Sequence, residues 1–109
     1  MKVAITSEGD SLGAKMDRRF GRCAFFVIYD TETRDHEIIA NPNLNRVEGA
    51  GPASVQLVAG KGVKKVVSGE FGAKIKSLFD QLQIQLITLE REEKTVQQIV
   101  EMLDGAAVK

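Results

Sequence analysis

The chain has 109 residues, 43% of them apolar and 28% charged, with 15 Lys and Arg balanced by 15 Asp and Glu. That length supports one core in a single domain, residues 1–109, and the balanced charge leaves no overall field to hold nucleic acid or an anionic membrane. No apolar run approaches the ~20 residues of a spanning helix, and one cysteine with one histidine neither closes an internal disulfide nor completes a zinc site.

The opening "KVAIT", residues 2–6, is β-rich and reads as a first strand and not a signal peptide, which predicts a cytoplasmic location. "AFFVIYD", residues 24–30, is a near-continuous apolar run of the kind covered on both faces, and predicts a central strand. After the polar turn "TETRD", the segment "HEIIAN" predicts a third short strand that stops before Pro42. From "GAGPASVQLVAGKG" the period changes: Val55, Val58 and Ala59 recur at helical spacing, Pro52 suits a first helical turn, and Gly60 or Gly62 closes the far end. Residues 63–67 predict a fourth strand, and Ile75, Leu78, Phe79 and Leu82 share one face of a second helix beginning near Gly72. "IQLITL", residues 84–89, predicts a fifth strand. Thr95 with Gln98 fits a capping box that opens a last helix ended by Gly105. The order β-β-β-α-β-α-β-α predicts a three-layer α/β domain with a mixed sheet.

The segments "FGRCAFFVIYD", "NPNLNRVEGAGPASVQLVAGKGV", "VVSGEFGAKIKSLFDQLQIQLI" and "KTVQQIVEML" occur in that order over nearly the whole chain. In series they resemble the dinitrogenase iron-molybdenum cofactor biosynthesis family, small carriers similar to NifX and to the C-terminal domain of NifB. The resemblance implies a ribonuclease H-like fold with strand order 3-2-1-4-5 and strand 2 antiparallel to the rest. In that order residues 7–23, 41–51, 68–72 and 89–95 meet at one sheet edge, where ligands of open α/β sheets favour the crevice at the carboxyl ends of the strands.

Three stretches of that edge carry candidate chemistry. In "RRFGRC", Arg18, Arg19 and Arg22 surround Gly21, and guanidinium groups suit polyatomic anions, although each alone also reads as a solvated charge. In "EGAGP", Gly49, Ala50 and Gly51 either bring backbone N–H groups close to an anion at a helix start or only form the tight turn before Pro52. No Gly-Lys-Ser/Thr follows, so this is not a nucleotide-binding P-loop. "SGEFG" adds Ser68, Gly69 and Gly72. The resemblance implies a histidine just before "FGR" where this chain has Arg19, which offers charge but no lone pair. Cys23 is then the candidate soft metal ligand, its thiolate favoured by the arginines, or else a small packed hydrophobe. Met16 and His36 read as packing and surface residues respectively.

Enzymatic readings are disfavoured. The first strand has no acid for a nuclease metal, no serine motif accompanies the lone histidine, and dithiol chemistry lacks a second cysteine. The expected function is a non-catalytic carrier of an anionic iron-sulfur or molybdenum-containing cluster, working with a cluster-donor or acceptor protein. The alternative is a regulatory or adaptor module that binds a small anionic metabolite or a protein partner through the same edge.

Overall fold

The computed structural model describes residues 1–89 and 93–108, the last three by backbone alone. The elements in chain order are β1 (Lys2–Ser7), β2 (Phe25–Asp30), β3 (His36–Ala40), α1 (Ala50–Gly60), β4 (Val63–Ser68), α2 (Ala73–Gln81), β5 (Gln85–Thr88) and α3 (Val96–Val108). They form one sheet in the order β3-β2-β1-β4-β5. β2 pairs antiparallel with β1 and β3, while β1, β4 and β5 pair in parallel, as the family resemblance implied.

Alternation along the strands divides the apolar side chains between two layers. Ala4, Phe26, Ile28 and Val66 pack with Val55 and Val58 of α1 and Phe79 of α2. Val3, Ile5, Val27, Tyr29 and Val67 pack with Val96, Ile99 and Val100 of α3 on the other face. Both faces of β1 and β2 are therefore covered, which is why "FFVIYD" shows no polar alternation. His36, at the start of the edge strand β3, is exposed, and Met16 is buried in the α3 layer, both as expected.

Helix ends follow local chemistry with one departure. Gly62, at φ 78°, takes the left-handed position after α1, and its N–H donates to the Ala59 carbonyl. Thr95 and Gln98 form the reciprocal capping box, at 2.9 and 3.1 Å. The predicted stop at Gly105 is not observed, since α3 continues through it to Val108. Gly105 lacks the positive φ that ends a helix, and the alanines that follow it are strong helix formers.

The two rims of the sheet differ in build. At one, the connections are tight turns with left-handed residues: Arg34 (φ 65°), Gly62 (φ 78°) and Gln83 (φ 58°). At the other, the long β1–β2 connection first crosses the start of α3, where Met16 N–H donates to the Lys94 carbonyl and Gln97 N–H to the Leu12 carbonyl. Only from Asp17 onward does it turn over the ends of β1 and β4. The predicted fourth loop of that rim, residues 89–95, includes residues 90–92, which lie outside the described residues.

Across the α3 layer, the Tyr29 hydroxyl donates to Asp104 Oδ1 at 2.6 Å. Burial first, and then the Asp104 carboxylate, push its phenol from the usual 10.0 up to about 12. Folding thus favours the neutral phenol, and this contribution is complete below pH 10 and lost as the pH rises through about 12. Tyr29→Phe is expected to cost about 1 kcal/mol at neutral pH. In urea titrations it should also flatten the fall of stability between pH 10 and 12 seen in the parent protein.

Candidate anion-binding cleft

The site is built by three loops packed backbone to backbone. Thr6 Oγ1, near the end of β1, donates to the Asp17 carbonyl at 2.7 Å, and Ser68 Oγ, the last residue of β4, reaches the Asp17 and Arg18 carbonyls at 3.4 and 3.5 Å. Gly69 lies against this stretch so closely that a Cβ on it would sit 2.7 Å from Arg18 Cα and 2.9 Å from the Arg18 carbonyl oxygen. Asp17 Oδ1 accepts the Arg19 N–H at 3.1 Å, and Arg19 pairs with Glu70 in an isolated β-bridge.

The next residue, Phe20, points inward. Its ring lies 5.6, 5.7 and 5.1 Å from those of Phe26, Phe71 and Phe79, and only 3% of the residue is exposed. Gly21 then meets the start of α1, where a Cβ would come within 2.9 Å of Gly51 Cα. Asn41 Nδ2 and Ser54 Oγ donate to the Gly21 carbonyl at 3.2 and 3.1 Å, and Asn41 Nδ2 also reaches the Cys23 carbonyl at 2.9 Å. Arg22 Nη1 donates to the Arg46 carbonyl at 2.7 Å and to the Leu44 carbonyl at 3.4 Å.

Between these loops lies a cleft of about 530 Å³. The first turns of both α1 and α2 line it, at Gly49–Pro52 and at Gly72–Ile75 without Ala73. The first N–H groups of a helix have no acceptor within it, and neither Gly49 nor Gly72 provides a side-chain cap. No acidic residue occupies the first turn of either helix. Arg19, Arg22 and Lys74 add positive charge, and Glu48 and Glu70 place two carboxylates on the same walls. Two partial positive helix ends and three cations on one cleft form a setting for an anion.

The structure distributes the expected site residues unevenly. Arg19, Gly21, Arg22, Gly49, Ala50, Gly51 and Gly72 line the cleft. Arg18 lines a neighbouring depression of about 510 Å³, which shares Arg19 and Glu70 with the cleft. Ser68 is fully buried and Gly69 is buried, each supporting loop backbone and neither lining the cleft. Gly21, Gly51 and Gly69 admit other parts of the protein, Gly51 taking the side chain of Ile75. Sequence reasoning missed Lys74, although its place two residues after the helix-opening Gly72 was the available signal.

Of the two readings of Cys23, the structure shows the packed hydrophobe and not the metal ligand. It is 0% exposed, belongs to the core layer of α1 and α2, and is absent from the lining of the cleft. Burial, and then the Asp17 carboxylate, push its thiol well above the usual range, and Arg22 turns its guanidinium to the carbonyls of 44 and 46. Cys23 is therefore expected to resist a thiol reagent at pH 8 until the protein unfolds, with native and urea-unfolded rates differing by orders of magnitude. Fast labelling of the native protein would show an exposed thiol. Among the described residues, no group of three or more His, Cys, Asp or Glu could hold a metal ion, and no helix is long and apolar enough to cross a membrane.

A family model described as dinitrogenase iron-molybdenum cofactor matches residues 1–105. An uncharacterized protein of Methanocaldococcus jannaschii is 34% identical over 89 residues, covering 79% of this chain and 72% of that protein. The apo form of the orange protein from Desulfovibrio gigas has a TM-score of 0.87 at 33% identity, covering 95% of this chain and 88% of that one. A candidate NifB protein from Thermotoga has a TM-score of 0.81 at 29% identity, over 95% of this chain and 87% of that one.

Proposed function

We propose a carrier role on one premise: the chain belongs to the dinitrogenase iron-molybdenum cofactor family, whose model spans residues 1–105. The cargo is a preformed anionic metal-sulfur cluster, of iron-sulfur or molybdenum-containing type, held without catalysis and passed between a donor and an acceptor protein. The observation that carries this reading is the cleft onto which two uncapped helix starts open beside Arg19 and Lys74. Sulfido and oxo atoms at the surface of such a cluster accept hydrogen bonds, and backbone N–H groups and guanidinium forks donate them. The metals of a preformed cluster are satisfied by its own bridging atoms, so the cleft needs no set of side-chain ligands. Glu48 and Glu70 temper the positive field and keep the cargo releasable.

The test is anaerobic incubation with tetrathiomolybdate, and separately with ferrous iron and sulfide, followed by gel filtration and metal analysis. The parent protein should retain metal, and the Arg19→Ala/Lys74→Ala double variant should hold it about tenfold or more weakly, the loss expected for charge-assisted bonds. Cys23→Ala should retain it as the parent does. Failure of the parent protein to retain any metal overturns the carrier role. Thermal stabilisation by simple organic phosphates, with none from thiomolybdate, would favour the metabolite-binding alternative.

A further inference from the structure

Residues 44–48 form one lip of the cleft, with Val47 and Glu48 on its wall. Val47 is 91% exposed, and residues 45–49 are all exposed, so beyond the half-buried Leu44 no side chain of this lip is anchored by burial. Its upstream end is fixed by Asn41 and Asn43, the latter with Nδ2 at 3.5 Å from Ser54 Oγ, and its downstream end is the left-handed Gly49 at φ 72°. Within the lip, Arg46 Nε bonds only to the nearby Glu48 carbonyl, at 3.1 Å. Among the described residues, the hydrogen bonds that tie 44–48 to a distant part of the chain are the two from Arg22 Nη1.

Arg22 also lines the cleft, and with Nη1 spent on carbonyls its fork keeps Nη2 and Nε as donors. We infer that Arg22 is a two-sided bridge through which a bound anion holds the 44–48 lip in place. Both attachments use one conformation of the side chain, so the entropy of fixing it is lost once and each attachment favours the other. Linkage makes the effect reciprocal: cargo steadies the lip, and a steadied lip slows release of cargo. Lysine at this position would keep the charge but gather its three donors at one nitrogen, without the planar fork that spreads them between carbonyls and cargo. The inference rests on the anion-carrier reading.

The Arg46–Val47 bond lies in the middle of the lip and is a trypsin site, so its cleavage reports opening directly when opening is fast compared with cleavage. The parent protein and Arg22→Lys are digested with and without saturating tetrathiomolybdate, with bound molybdenum measured in the same samples. The bond after Lys61, at the far end of α1, serves as the control for global unfolding. Bound thiomolybdate is expected to slow cleavage at Arg46 roughly fivefold or more in the parent protein and to have little effect in an Arg22→Lys protein that still carries molybdenum. Equal protection in both proteins overturns the bridge, because the cargo then shields the lip by covering it. Unchanged cleavage in a molybdenum-loaded parent protein also overturns it, as does an Arg22→Lys protein that binds no molybdenum, which would make Arg22 a direct contact alone. A parent protein that binds no molybdenum fails the carrier reading itself and is recognised by that measurement.

Discussion

Phe20→Ala is expected to lower stability by about 3–5 kcal/mol, the usual cost of emptying a packed aromatic site. Domains of this size are stable by roughly 5–15 kcal/mol, so the variant should show a strongly reduced urea midpoint or be largely unfolded at 37 °C. The reason is where the ring sits. Phe20 packs between Phe71 of the β4–α2 loop and Phe79 of α2, and Phe71 and Phe79 meet edge-on at 6.2 Å. Removing it therefore opens a cavity and also releases the backbone that holds Arg19, Gly21 and Arg22 at the cleft. Phe20→Leu retains most of the volume and should recover more than half of the loss. A cost below about 1 kcal/mol for alanine would mean that the loop is held mainly by its hydrogen bonds.

Gly69→Ala is expected to be the most damaging glycine replacement, at about 2–3 kcal/mol. The added Cβ would lie 2.7 Å from Arg18 Cα and 2.9 Å from its carbonyl oxygen, both backbone atoms, so no side-chain rotation relieves the clash. The Thr6 and Ser68 hydroxyls bonded to the same stretch resist its displacement. Gly60→Ala is the matched control, since a Cβ there meets nothing within 4 Å and alanine is the better helix former. It should be neutral or stabilising by up to about 1 kcal/mol. Thermal unfolding of the two variants side by side decides the point, and similar effects would argue against a tight contact between the loops.

Much of the architecture was legible because it depends on local period. The helical spacing of Val55 and Val58 and the unbroken apolar run of β2 are written in neighbouring residues, and the Thr95–Gln98 box spans a single turn. Strand order was available only through resemblance to the family, since no local pattern says that β4 inserts beside β1. The cleft was harder to read. Gly21 and Gly51 are far apart in sequence, and only the folded chain shows that each makes room for another segment. Cys23 follows three arginines in sequence, yet the start of β2 carries it inward, and burial outweighs their charge. Arg22 looked like a free cation because its carbonyl partners come from a loop more than twenty residues away.

The three left-handed turns at Arg34, Gly62 and Gln83 have a practical consequence for handling the molecule. They keep that rim of the sheet short, and a change of length there would shift the register of the strands it joins. The exposed side chains of these turns stand at the end of the strands opposite the cleft. A dye or surface tether attached at Arg34→Cys, with the native thiol shielded in the core, would hold the molecule by its far rim and leave the mouth of the cleft turned toward solution.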